Sequence, residues 1–162
     1  MEYWDIYDRD KKPTGRTMKR NDWCLKDGEY HLTVLGVVAR PDHKFLITKR
    51  VMTKAWAPGC WEVSGGAAQA GEESLEAVLR EVKEETGYTL TSYRFRGIVT
   101  FVSGSGVTEY MSLFTADGFK GEEIPCDEGD VEWVEIDRIG ELNLWEGDRI
   151  FLRLLVERDF SR

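Results

Sequence analysis

The chain has 162 residues, 41% of them hydrophobic and 32% charged, and carries a net charge of −8. This length and balance suit one domain with a sizeable core and exclude a disordered or coiled-coil chain, and the acidity excludes a general binder of nucleic acid polymers. No run approaches the roughly eighteen apolar residues of a membrane span, and MEYWDIYDRDKK lacks the apolar stretch of a secretion signal, so a cytoplasmic protein with no membrane partner is expected.

The charge is uneven. Residues 1–60 hold twelve Lys/Arg against eight acids, net +4, and residues 61–162 hold ten against twenty-two, net −12. Arg50, beside Lys49 and near Lys54, is a candidate for holding a small anion; a solvated strand end is the plainer reading of the same residues. Cys24, Cys60 and Cys126 stand far apart and leave an odd thiol under any pairing, as expected of reduced cysteines.

In chain order, residues 1–162 read as a single domain, of which residues 1–28 form an N-terminal hairpin extension around a Pro-Gly turn. HLTVLGVVA and KFLITKR are rich in β-branched and apolar residues and flank RPDH, which predicts paired strands His31–Ala39 and Lys44–Arg50. WAPGCWEVSGGAAQAGEE mixes proline, glycines and tryptophans and reads as a shaped loop. From Glu73 the spacing of Leu75, Val78, Leu79 and Val82 predicts a helix with a core-facing stripe, ending at Thr86-Gly87. Strands follow in YRFRGIVTFV, VTEYMSLFTAD and VEWVEI. A last helix, GDRIFLRLLVERD, is expected to turn Ile150, Phe151, Leu154 and Leu155 inward. The order predicts a mixed α/β domain with helices covering a sheet.

REVKEETG, Arg80–Gly87, sets Glu81, Glu84 and Glu85 near a helix C-terminus, where the helix dipole already repels carboxylates. Like charges at these spacings cost about 0.2–0.5 kcal/mol a pair. At 100° per residue the three share one arc beside the core stripe. A hard divalent cation, Mg2+ or Mn2+, would turn repulsion into shared ligation; an exposed acidic helix end is the alternative when these residues are read alone.

Gly66, Glu72 and Arg80-Glu81-Val82-Lys83-Glu84-Glu85-Thr86-Gly87 together resemble the signature of the Nudix hydrolases, with seven polar or glycine positions matched over twenty-two residues. Tyr88 stands where the family usually has an aliphatic residue. The resemblance implies an α/β/α sandwich with a mixed β-sheet and a catalytic loop-helix-loop that cleaves a small-molecule diphosphate, most often a nucleotide. It implies Glu84 and Glu85 as metal ligands, Glu81 as ligand or water-activating base, the Gly65 carbonyl as a further ligand, Arg80 as the residue orienting the acids, and Glu72 as a tie between loop and helix. Glu109, Glu122, Glu123 and Glu128 are candidates for an extra ligand, each with an exposed surface acid as the alternative. Dimers are frequent in the family, so a homodimer belongs to the same expectation.

WDIYDRDKKPTGRTMKR resembles the branch of the family that contains isopentenyl-diphosphate isomerase. That branch's catalytic cysteine follows the Trp loop in a Cys-Gly-His-like setting. Here Cys60 precedes Trp61 and no histidine follows, which argues against isomerase activity. LNLWEGDRIF is similar to the segment of oxidised purine nucleoside triphosphate hydrolases in which a tryptophan and an aspartate grip the base. Trp145 would stack on a purine and Asp148 would bond its edge; a core tryptophan and a helix-capping aspartate are the structural alternative. The function expected is therefore metal-dependent cleavage of a nucleoside triphosphate or related nucleoside diphosphate derivative, an oxidised purine triphosphate among them. The alternatives are a sugar, isoprenoid or other non-nucleotide diphosphate, and a nucleotide-sensing module without turnover. His31 and His43 read as structural, and Trp56, Trp61 and Trp133 as packing residues.

Overall fold

Strand β1 (Tyr3–Tyr7) pairs with β2 (Pro13–Lys19) in a separate two-stranded sheet, and the computed structural model describes residues 1–54, 57–102, 104, 108–127 and 129–158. The reversal between β1 and β2 precedes Pro13 and is not built on the Pro-Gly pair. The Asp8 carboxylate accepts from the backbone N–H groups of Asp10 and Lys12, and Lys11 takes a positive φ of 61°. An Asp side chain substitutes for a backbone partner in such turns, so the punctuation was carried by Asp8.

The main sheet is mixed. Its strands are β3 (His31–Arg40), β4 (Lys44–Arg50), β5 (Trp61–Glu62), β6 (Ser64–Ala67), β7 (Thr89–Val102), β8 (Thr108–Lys120) and β9 (Gly129–Glu135). The order is β5-β4-β3-β8-β7, with β6 on β3 and β9 on β4; β3 and β8 run parallel. Strands β5 and β6 lie inside the segment expected to be loop. They are too short to show a two-residue period, and their glycines speak against strand until neighbouring backbone pairs them.

Helix α1 (Ser74–Thr86) covers one face of this sheet and α2 (Glu146–Arg158) the other, with a 3-10 turn at Ile136–Glu141 before α2. Val78 and Val82 of α1 are fully buried against Val34 and Val38, while Phe151 and Leu152 of α2 pack with Val37, Ile47 and Leu113. The alternation of β3 thus supplies both cores, as successive side chains of a strand face opposite ways. Gly36 lets α1 come close: a Cβ there would stand 2.9 Å from Val82. The register of α2 differs from the expected one, since Leu152 is buried and Ile150 is 46% exposed. Its inner stripe runs through Phe151, Leu152 and Leu155, because the chain enters the helix from the Leu144 side, already tied to Trp61.

The hairpin is fastened to this frame. Tyr7 and Tyr30 exchange backbone hydrogen bonds at 2.8 and 2.9 Å, the Ala70 N–H donates to the Tyr3 carbonyl, and the Gly71 N–H donates to the Asp5 carboxylate. Trp4, Ile6 and Met18 bury themselves against Ala67.

Candidate active site

A cleft of about 820 Å³ opens where β6, the end of α1, the hairpin and the 125–127 segment meet, and Glu81, Glu84 and Glu85 line it together with Gly65 and Gly66. Helix α1 ends beneath it. Gly87 adopts φ 87°, its N–H donates to the Lys83 carbonyl at 2.9 Å, and the Lys83 ammonium donates to the Gly87 carbonyl. The left-handed glycine and the one lysine of the last turn therefore offset the C-terminal dipole that the acids aggravate.

Arg80 organises the acids. Its Nε and Nη2 donate to the two carboxylate oxygens of Glu72 at 2.7 and 2.9 Å, its Nη1 donates to Glu81 at 2.9 Å and to Glu84 at 3.2 Å, and Nη2 also reaches the Ala67 carbonyl. Such a fork matches a carboxylate better than an ammonium does. Hydrogen bonding to Arg80 holds the Glu72 carboxyl below its ordinary value, and the bond to Glu72 in turn raises the Arg80 pKa. Glu72 also accepts from the Gln69 N–H at 2.9 Å, so it clamps the loop to the helix. Part of the opposition among the three acids is thus met within the protein by a guanidinium.

The glycines make room for the carboxylates. A Cβ on Gly66 would lie 2.6 Å from the Glu81 carboxylate, and one on Gly65 would lie 2.1 Å from the Val34 carbonyl oxygen. Any other residue at 66 would expel Glu81 from its place. Glu85 is 9% exposed, whereas Glu84 stands open to the cleft with a side chain 60% exposed. Among the described residues no three His, Cys, Asp or Glu side chains form a preassembled ion cage. The donors still fit a hard divalent ion: they are carboxylates in one cleft, beside a strand with no side chain in the way.

Arg50 also lines the cleft, bonded to Glu62 at 3.2 Å, and Lys54 lines it nearby. Trp145 and Asp148 are not among the described residues lining the cleft; Asp148 feels the charge of Glu62, the carboxylate that Arg50 holds. Asp148 is 8% exposed in the first turn of α2, and burial, with the nearby Glu62 carboxylate second, pushes its pKa up to about 7. Of the other acids, Glu123 accepts from the Tyr88 hydroxyl and from the Trp133 indole, which fixes it away from the cleft; Glu122 is exposed, Glu109 lies on β8, and Glu128 and Trp56 lie outside the described residues. At Tyr88, the departure from the signature, the hydroxyl donates to Glu123, a bond an aliphatic residue could not make. Asp127, Cys126 and the hairpin residues Glu2, Trp4, Arg20 and Asn21 also reach the cleft. Sequence spacing offers no signal for them, because they come from segments remote in the chain. All three cysteines are free. No helix among the described residues is long and apolar enough to cross a membrane.

The fold and this site define a mixed α/β domain whose loop-helix-loop, residues 66–87, presents carboxylates to a cleft. The Nudix domain profile matches residues 29–155, and the chain belongs to the Nudix family. It is 31% identical over 129 residues to a zebrafish (Danio rerio) protein called oxidized purine nucleoside triphosphate hydrolase, covering 78% of this chain and 80% of that one. It is 29% identical to the uncharacterized Nudix hydrolase YvcI of Bacillus subtilis, covering 79% of this chain and 81% of the relative. Among solved structures it resembles the MutT protein of Bacillus halodurans, with a TM-score of 0.70, 26% identity, and 80% of this chain and 84% of the other covered. The chain is accordingly a pyrophosphohydrolase acting on small nucleotide-type diphosphates, in a family that uses divalent metal ions.

Proposed function

We propose that the chain hydrolyses a nucleoside triphosphate or related nucleoside diphosphate derivative with Mg2+ or Mn2+, an oxidised purine triphosphate giving the monophosphate and pyrophosphate being the leading case. The observation carrying this reading is the single cleft shared by Glu81, Glu84, Glu85 and the Gly65-Gly66 strand, with Arg50 on the adjoining wall. When bound, a divalent ion supplies the charge neutralisation that phosphoryl transfer requires. Glu84, Glu85, the Gly65 carbonyl and Glu81 are the donors that would hold it. Glu81, kept in place by Arg80, also accepts the proton of the attacking water as the new P–O bond forms and the bond to the leaving phosphate breaks. Arg50 balances charge on the substrate phosphates.

Asp148, near the Glu62 carboxylate that Arg50 holds, supplies base selection together with Trp145. A carboxyl with a pKa of about 7 is protonated in part at neutral pH and offers both donor and acceptor to a purine edge. The relative named for oxidised purine triphosphates supports this choice of base. The whole chain works as one domain in the cytoplasm, as a homodimer that needs no nucleic acid polymer; light scattering on the purified chain reads the dimer.

The test is release of phosphate and pyrophosphate from dNTPs, 8-oxo-dGTP, nucleotide sugars, dinucleotides and isopentenyl diphosphate, in Mg2+, in Mn2+ and in EDTA. The expected result is metal-dependent pyrophosphate release with preference for the oxidised purine. Equal turnover of all dNTPs overturns the base assignment, and turnover of isopentenyl diphosphate alone overturns the nucleotide reading.

A further inference from the structure

Resting on the reading of the cleft as a nucleotide diphosphate site, we infer that the N-terminal hairpin closes one end of it into a subsite for a neutral, hydroxyl-bearing group esterified to the distal phosphate, selected by His31 and Thr33. The residues lie along one track. Strand β5 places Glu62 opposite Thr48 beside Arg50, and β6 then carries Gly65 and Gly66 past the acids to Ala67, opposite Thr33. Base selection at the Arg50 end and phosphates at the glycines leave the hairpin end for whatever extends beyond the scissile bond.

That end is built of polar groups with nothing to bond. His31 is 2% exposed and borders the cleft, yet neither ring nitrogen has a hydrogen-bond partner among the described residues. Two positions along the same strand face, the Thr33 hydroxyl is also buried, also borders the cleft and also lacks a partner. Folded proteins satisfy nearly all such groups; among the described residues the Thr48 and Ser64 hydroxyls are also buried without a partner, but only His31 and Thr33 border the cleft, where a ligand can reach them. Trp4 stacks on the imidazole with centroids 4.2 Å apart and planes 21° apart, which fixes the ring orientation. Trp23 meets it edge-on at 5.8 Å and is 45% exposed, so one side of the imidazole faces a surface residue rather than the core. Asn21 and Trp23 hold positive φ values of 66° and 50°, backbone strain of the sort kept where a loop serves a site.

The chemistry of the occupant follows from the donors. Burial lowers the His31 pKa to about 4, so near neutrality the ring offers one donor and one acceptor, and Thr33 offers both as well. A phosphate has acceptors only and calls for cations; at this wall Arg20 is already paired with Glu2 at 3.2 Å. Hydroxyl groups, which donate and accept, match. A sugar or a second nucleoside on the distal phosphate presents them.

The experiment compares hexosyl, nucleosyl and cyclohexyl esters of one nucleoside diphosphate on the wild type, His31→Phe and Thr33→Val. Phe keeps the ring stack and Val keeps the shape, so both variants retain packing while losing hydrogen bonds. The wild type should favour a hydroxylated ester over the cyclohexyl ester by about 100-fold or more in kcat/KM, and each variant should cut that ratio about 10-fold. A wild-type ratio near one, or a ratio both variants leave unchanged, overturns the subsite. Calorimetric binding of the same esters separates the two readings. If neither 8-oxo-dGTP nor any ester is hydrolysed, the hydrolase reading of the cleft fails on its own, while a binding preference erased by the variants supports the subsite and equal binding of all three esters overturns it.

Discussion

Arg80 holds Glu72 by two hydrogen bonds, 2.7 and 2.9 Å long, and the same guanidinium holds Glu81 by a third. Glu72, eight residues before Arg80, therefore positions a carboxylate of the cleft without reaching the cleft itself. Glu72→Ala should destabilise the fold by about 1–3 kcal/mol and lower kcat more than it changes KM, since Arg80 loses its anchor. Because Arg80 depresses the Glu72 pKa, the pair stabilises the fold fully above the ordinary carboxylate value of 4.5 and loses that contribution as pH falls through the lower folded value. Denaturant titrations between pH 3 and pH 7 should show a shallower acid decline in the variant; an unchanged decline would remove Glu72 from this role.

Glu84→Gln should reduce metal-dependent turnover by about 100-fold or more while leaving the fold intact. Its contact with Arg80 is largely exposed, so the stability change stays within about 0.5 kcal/mol. Phosphate release beside a thermal melt in metal-free buffer reads both, and normal turnover would refute the assignment of this residue to the site.

Gly66→Ala should be as damaging to turnover as loss of an acid, although it removes no functional group. The added methyl would lie 2.6 Å from the Glu81 carboxylate, the flexible end of that side chain, so the carboxylate moves out of place while the fold loses little stability. Activity assays and the melt of G66A check it, with wild-type kcat as the refuting outcome.

Asp148 is neutral in the fold at pH values where the unfolded chain ionises it. Its raised folded pKa of about 7 means that the folded protein binds the extra proton, so this residue lets stability fall as pH rises from about 4 to about 7 and adds no further slope above. Asp148→Asn should flatten that slope, which makes the variant gain on the wild type at pH 8 relative to pH 5. Urea unfolding at the two values decides it; parallel curves would show that Asp148 titrates normally.

Glu123→Ala should cost no more than about 1 kcal/mol, because Glu123 is exposed and water can replace it on the Trp133 indole, yet keep metal dependence unchanged. A raised metal requirement in turnover assays would instead restore Glu123 as a ligand.

Much of this protein is local and was therefore readable from the chain. The 3.6-residue stripe of α1, its glycine stop and the apolar runs of β3 and β4 express forces between near neighbours, and the spacing of Glu81, Glu84 and Glu85 places them on one side of a helix before any tertiary contact forms. Three things came from the folded chain alone. Strands β5 and β6 exist because β4 and β3 offer them backbone partners; the face of α2 that turns inward is set by the entry of the chain at Leu144; and the hairpin forms a wall of the cleft because Trp4, Ile6 and Met18 pack on Ala67, more than forty residues away. The difference is one of range. Helix periodicity and turn chemistry act over a few residues and leave their mark in sequence order, whereas hydrogen bonds between remote strands and the burial of one segment by another depend on chain closure, and nothing in the spacing of residues records it.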